Sequence, residues 1–191
     1  MDSNTDQIYI DKVLGGDSNA FAWLVDKYKN LAYTVALKIV RNNEDAEEIA
    51  QDSFVKAYTQ LHTFKGESKF STWLYTIVYR NSITKIRKKK ITTTNIDAYV
   101  IENQKSDYDF PQIEAIKNKE QKEYVAKAID RLPETDALLI TLFYLNESSV
   151  EEIEEITGLT KTNVKVKLFR ARKKLLNELS LLLKHELKEI A

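Results

Sequence analysis

From Phe64 to Asn81 the chain reads Phe-Lys-Gly-Glu-Ser-Lys-Phe-Ser-Thr-Trp-Leu-Tyr-Thr-Ile-Val-Tyr-Arg-Asn. Aromatic rings are interleaved there with cations and hydroxyls. Rings can stack on unpaired bases while neighbouring cations hold the backbone. A loop leading into such a helix could capture a base drawn out of a duplex. Aromatics at helical spacing are more often core, and Phe70 and Trp73 are assigned to it. Thr76, Tyr79, Arg80 and Ile83 fall on the more exposed side, with the Lys65–Lys69 loop beside them.

A second chemistry-bearing segment runs from Val150 to Leu175. A short helix carries Ile153 and Ile156. Gly158 makes a tight turn, where a residue without Cβ can take positive φ. Leu159 plugs the corner, and a second helix buries Val164, Leu168, Ala171 and Leu175. Its opposite face holds Thr162, Val166, Phe169, Arg170 and Lys173, flanked by Asn163, Lys165, Lys167 and Arg172. Small and polar groups for base edges, with cations for phosphates, are what a helix in a DNA major groove needs. A plain helical hairpin with a basic solvent face is the bland alternative. A Ser149-x-x-Glu152 capping box, the Gly turn and the lopsided charge favour DNA.

Helices must position both segments. Glycine (4) and proline (2) are scarce among the 191 residues, and strand-rich chains need turns that use both. Phe21, Leu24, Val25, Tyr28, Ala32, Val35 and Ile39 recur at three and four, which predicts a helix ending at Asn42-Asn43. Ala46, Ile49, Ala50, Phe54, Ala57, Tyr58 and Leu61 form the stripe of the next, opened by Glu44 and Asp45. Residues 62–70 are expected to be a loop containing Gly66, and Ser71 or Thr72 to cap a third helix reaching about Lys90. Residues 92–110 carry no stripe and end at Phe110-Pro111, so they are assigned to a linker. Periodicity resumes with Ile113, Ile116, Tyr124, Val125, Ala128, Ile129 and Leu132. Pro133 opens a further helix, with Leu138, Leu139, Leu142 and Phe143 inward. Thr160 is expected to cap the last helix, which runs to about Leu187. The predicted fold is all-α, with two helical domains at 5–91 and 113–188 joined by a flexible linker at 92–112.

The formal charge sums to zero, but not locally. Eight basic residues and one acid, Glu67, lie between Lys65 and Lys90. Nine basic residues and three acids lie between Lys161 and Ala191, while acids collect at 44–52, 97–114 and 134–155. Two basic blocks, one per domain, suggest two polyanion-binding surfaces rather than solvated faces. There is no cysteine, which excludes disulfides and thiolate metal sites. His62 and His185 are far apart, so neither a metal nor any other cofactor is expected. No apolar run approaches the length of a transmembrane helix and the N-terminus has no signal-peptide character, so a cytoplasmic location without membrane insertion is expected.

These pieces, in this order, resemble one family. Asp45-Ala-Glu-Glu-Ile-Ala-Gln-Asp-Ser-Phe-Val-Lys-Ala-Tyr58 is similar to a polymerase-binding region. Phe70-Ser-Thr-Trp-Leu-Tyr75, followed by Ile86-Arg-Lys-Lys-Lys90, is similar to a promoter-melting and minus-ten-reading region. Arg131-Leu-Pro133 and the helix-turn-helix ending Phe-Arg-Ala-Arg-Lys-Lys-Leu175 resemble a minus-thirty-five domain. The family is the extracytoplasmic-function (group IV) branch of the sigma-70 family, and the match covers residues 8–180. The resemblance implies a non-enzymatic subunit with no catalytic residue. It implies that a sigma-2-like domain docks on the β′ clamp helices of core RNA polymerase through Asp45, Glu47, Glu48, Gln51 and Asp52. Minus-ten contacts would come from Lys65, Lys69, Thr76, Tyr79, Arg80, Asn81, Ile83 and Arg87. A sigma-4-like domain would meet the β flap and the minus-thirty-five DNA, the latter through Thr162, Asn163, Lys165, Val166, Lys167, Arg170 and Lys173. An anti-sigma factor is the further expected partner, beside polymerase and promoter DNA. The chain departs from the family where Arg80 stands seven residues after the Trp, a place usually held by Asn, and where Val166 and Lys167 stand in the recognition helix.

Two other readings compete. An ordinary helix-turn-helix regulator would not need the acidic helix or the aromatic-basic one. An enzyme would show a Gly-rich phosphate loop, a Cys nucleophile or a paired-His site, and none of these is present, while the carboxylates cluster on solvent faces.

Overall fold

The computed structural model describes residues 3–92 and 119–189, and every regular element among them is helical. The chain divides into two compact units, each described by itself. The first holds α1 (Ser3–Leu14), α2 (Phe21–Val40), α3 (Asn43–Gln60) and α4 (Phe70–Thr92). The second is built from α5 (Lys119–Asp130), α6 (Glu134–Ile140), the start of α7 (Val150–Thr157) and α8 (Lys161–Glu189). The predicted linker, Thr92 apart, lies outside the described residues, as do Ile113 and Ile116.

α2 buries Phe21, Leu24, Tyr28, Ala32, Val35, Ala36 and Ile39, the expected stripe. It stops at Arg41, whose φ of 55° is left-handed and whose N–H returns to the Leu37 carbonyl. Asn42 then caps α3 by accepting the Asp45 N–H at 2.8 Å. Two residues therefore join α2 and α3 into a helical hairpin. α3 turns Ala46, Ile49, Ala50, Ser53, Phe54 and Ala57 inward, and its small residues let α2 and α4 approach closely. α4 buries Phe70, Leu74, Tyr75, Ile77 and Val78 against those two helices. Each fully buried side chain of that size contributes about 1.5–3 kcal/mol.

α4 begins earlier than expected. Lys69 presents the carbonyl that accepts the Trp73 N–H, so Phe70 is the first helical residue. Ser71 and Thr72 are not caps; they lie buried inside the first turn. The loop before it is shorter than expected, because Leu61–Thr63 forms a 3₁₀ turn.

α1 was not foreseen. Its anchor is a buried carboxylate: Asp6 accepts a hydrogen bond from the Tyr28 hydroxyl at 2.6 Å and from Lys27 at 2.7 Å. Beside it Tyr9 stacks on Trp23, with ring centroids 4.2 Å apart. The Tyr75 hydroxyl is buried without a hydrogen-bond partner. Burial, and secondarily the Asp6 charge, push this phenol far above its ordinary range.

In the second unit Ala128, Ile129 and Leu132 pack with Ala137–Ile140, Leu142 and the inner face of α8. Pro133 stands at the N-cap of α6. Asp136, buried in the first turn of α6, accepts from Lys174 of α8 at 2.6 Å. α6 passes into one π-helical stretch, Thr141–Leu145, which sequence periodicity did not signal. The turn after it places Glu147 at φ 51°. An L-residue there meets a steric penalty of roughly 1–2 kcal/mol that glycine avoids. Glu147→Gly is therefore expected to stabilise the second unit by about 0.5–1 kcal/mol, after allowance for the more flexible unfolded chain. A urea titration followed by circular dichroism should show the midpoint rise with an unchanged slope. An unchanged or lower midpoint would mean that the glutamate side chain offsets the strain.

Candidate functional site

α3 presents Glu48, Gln51 and Asp52 on the side away from its buried stripe, with Asp45 and Glu47 on the two flanks. Glu47, Glu48, Gln51 and Asp52 are exposed, and the Asp45 side chain is 21% exposed. Val55 and Tyr58 extend this surface with exposed apolar area. Gln51 donates to Glu47 at 3.4 Å. The acids are not alone. Lys85 of α4 donates to Glu48 at 2.7 Å and lies 3.2 Å from Asp45, and Lys89 lies 3.6 Å from the other Asp45 oxygen. The hydrogen bond from Lys85 holds the Asp45 carboxyl below the usual carboxylate range. Glu48 first, then Asp45, raise the Lys85 ammonium above its ordinary value.

This pairing divides the basic end of α4 into two faces. Arg80 and Arg87, seven residues apart, share one side and are exposed, with half-buried Thr76 and Ile83 on the same side. Tyr79 is half-buried beside them; burial raises its phenol, and the charge of Arg87 pulls it back. Asn81 does not join them. Its side chain turns to α3, donating to Ser53 at 2.9 Å and lying 3.4 Å from the Lys56 ammonium. The loop before α4 is pinned by Phe64, whose ring meets Trp73 and Phe70 at 5.4 and 5.8 Å. Lys65 and Lys69 remain at the surface around Gly66, where φ is 72°. Phe70 is core as expected, while Trp73 is only half-buried.

The α7–α8 segment is ordered by the caps read from sequence. Ser149 and Glu152 bond reciprocally, at 2.8 Å from the Ser149 N–H and 3.1 Å from the Glu152 N–H. Gly158 closes α7 at φ 72°, and the Thr160 hydroxyl accepts the Asn163 N–H at 3.4 Å. Lys161 bridges back to Glu151 at 3.3 Å. The backbone N–H of Glu151, and then Lys161, hold that carboxyl below its ordinary value. Val164, Leu168, Ala171 and Leu175 are buried. That seating leaves Thr162, Lys165, Arg170 and Lys173 exposed, with Asn163, Val166 and Lys167 partly so. Lys173 lies over the Phe169 ring, and Arg172 is drawn over Phe143 and Tyr144 at 5.0 and 5.5 Å.

Sequence reasoning missed the Lys85–Lys89 pairing and counted both residues in an undivided basic block. The spacing carries half of the signal: Asn81, Lys85 and Lys89 are four apart and share the side of α4 away from Arg80 and Arg87, but it does not name the helix that side meets. Among the described residues no cluster of ligating side chains could hold a metal ion, and no helix is long and apolar enough to cross a membrane.

Comparison with known proteins gives this arrangement its relatives. The family profile for sigma-70 region 2 matches residues 24–91, and that for sigma-70 region 4 matches residues 122–175. The ECF RNA polymerase sigma factor SigW of Bacillus subtilis is 34% identical over 178 residues, covering 89% of this chain and 94% of the relative. The ECF RNA polymerase sigma-E factor of Haemophilus influenzae is 33% identical, covering 92% and 95%. Two solved structures share the fold, each with a TM-score of 0.62. One is CnrH in complex with the cytosolic domain of CnrY, at 21% identity over 92% of this chain and 97% of that one. The other is the sigma factor RpoE in complex with the anti-sigma factor NepR from Bartonella quintana, at 20% identity over 84% and 96%. The chain belongs to the extracytoplasmic-function branch of the sigma-70 family, the RNA polymerase sigma factors that direct promoter recognition and transcription initiation.

Proposed function

We propose that this sigma factor acts in the cytoplasm, without a catalytic residue or cofactor of its own, through three separate surfaces. The acidic face of α3, with Asp45, Glu47, Glu48, Gln51 and Asp52, meets the basic clamp helices of the polymerase β′ subunit. The outward side of α4, with Thr76, Tyr79, Arg80, Ile83 and Arg87, and the Lys65–Lys69 loop hold the non-template strand at the minus-ten element. The exposed side of α8, from Thr162 to Lys173, reads the minus-thirty-five element while the second unit meets the β flap. The domains extend over 5–91 and 113–188, with 92–112 as the linker. An anti-sigma factor that holds the protein inactive is part of the proposal, supported by the complex of the fold-related RpoE with NepR.

One observation carries the reading. Packing of α4 sends Arg80 and Arg87 outward together while Lys85 and Lys89 pair with the acids of α3. That gives a cationic, ring-bearing surface next to a loop that bends at the left-handed Gly66, a suitable place to capture an opened strand. Asn81 supports this surface from behind, through Ser53.

Three outcomes are expected. Arg170→Ala should weaken run-off transcription most on templates that depend on the minus-thirty-five element, by about 1–3 kcal/mol if the guanidinium reads a base. Normal transcription at every salt concentration would remove α8 from the DNA. Arg80→Ala should spare closed-complex formation and slow opening, measured by permanganate reactivity of unpaired thymines. A mutant that opens a homoduplex and a pre-mismatched template at the wild-type rate would sink the α4 assignment. Asp52→Lys should abolish co-purification with core polymerase and leave the helical circular dichroism intact, since like charges facing each other across an interface cost several kcal/mol. Retained binding would mean that the acidic face is merely solvated.

A further inference from the structure

The acids of α3 already have a counter-ion. Lys85 spans Asp45 and Glu48 at 3.2 and 2.7 Å, and Lys89 adds a second ammonium 3.6 Å from Asp45. The side chains are reachable from solvent, 33% exposed for Lys85, 73% for Lys89 and 59% for Glu48. Gln51 and Asp52 lie beside Glu48 on the outward side, and Glu47 on the far flank, without an ammonium from α4. The acidic face is thus divided into an open part and a part occupied from within.

We propose that Lys85 and Lys89 are internal competitors for the cations of core polymerase, an autoinhibitory ion pair that docking must displace or share. The proposal rests on the reading of α3 as the polymerase-docking face. A basic partner is drawn to Asp52 and Glu47 first and meets Lys85 as a like charge when it reaches Glu48 and Asp45. Lysine is suited to yield, because its ammonium is a point charge on a flexible four-carbon stem and holds no planar, bidentate geometry. The cost of displacement is small, because ion pairs at a wet surface are worth little. The competition therefore acts as a brake and a filter, not a lock. Cations placed to replace both lysines at once recover what was lost, and a basic surface of the wrong spacing does not. The lysines also belong to α4, so occupancy of the α3 acids changes the charge at the far end of the strand-holding helix.

The experiment measures binding of full-length protein to core polymerase at several salt concentrations, for wild type, Lys85→Gln, Lys85→Arg and Asp52→Lys. Lys85→Gln should bind roughly two- to fivefold more tightly at low salt, the change expected from one exposed pair. The gain should come from faster association and shrink as salt rises. Lys85→Arg, which keeps the charge, should bind no more tightly than wild type. If Lys85→Gln binds equally or more weakly while Asp52→Lys loses binding, the lysines support docking or stand apart from it, and the competition is refuted with the docking face intact. If Asp52→Lys keeps wild-type affinity, the docking face itself is misassigned and the competition falls with it. Circular dichroism of Lys85→Gln checks that helix content is unchanged. Tighter binding by a variant with native helix content is not an outcome that unfolding can produce.

Discussion

Burial of Leu74, Tyr75, Ile77 and Val78 against α2 and α3 fixes the rotation of α4 about its own axis. A helix advances about 100° per residue, so once four inner residues are seated every other direction is assigned. Arg80 and Arg87 must then face solvent, and Asn81, Lys85 and Lys89 must face α3. The rest of the first unit secures that angle. Asn81 is held by Ser53, itself bonded to the Ile49 carbonyl at 2.6 Å. Phe64 braces the start of the helix against Phe70 and Trp73. From the other side α1 fastens to α2 through Asp6, Lys27 and Tyr28, and Tyr28 touches both Phe70 and Tyr75. A slip of one residue in α4 would carry a guanidinium toward the seam and an apolar side chain into water.

The second unit reaches a similar result mainly with turn chemistry. The reciprocal Ser149–Glu152 bonds, the left-handed Gly158 and the Thr160 hydroxyl set where α7 starts and stops and where α8 begins. Each such cap is worth about 1 kcal/mol, so together they rival the burial of one large side chain. The strain sits just before them, in the π-helical stretch with its buried, unpartnered Thr141 hydroxyl and in the left-handed Glu147. Arg172 closes over the Phe143 and Tyr144 rings of that stretch. A cation that sequence alone would count toward nucleic acid is thereby engaged in packing.

What was legible in the sequence follows from how each helix is held. α2, α3 and α8 are seated by apolar residues at three and four, and periodicity finds such stripes. The caps of α7 and α8 were legible because they are local, each made by residues three apart. α1 was not, because Ile10 is its one buried aliphatic residue and the position a turn before it is a charge, Asp6. Asp6 is buried while Ile8 and Leu14 are exposed, so an apolar pattern drawn through them describes the wrong face. The division of the basic block needed knowledge of which helix lies beside α4. Nothing in the run Lys85–Lys90 says that two of its members meet Asp45 and Glu48, some forty residues earlier.

On the proposed reading of α8, the length of one helix limits how much sequence the second unit can inspect. The α8 residues proposed to read DNA run from Thr162 to Lys173, about 16 Å along the axis at 1.5 Å per residue. From Leu175 to Leu183 α8 carries no cation, and Leu176, Leu181 and Leu183 are exposed. At 3.4 Å per base step, 16 Å of helix laid in a groove is matched by roughly five base pairs. A word of that length recurs by chance many times in any bacterial chromosome. Discrimination must therefore come from reading a second short word at a fixed distance, which makes the spacing between the two elements as informative as the letters in either.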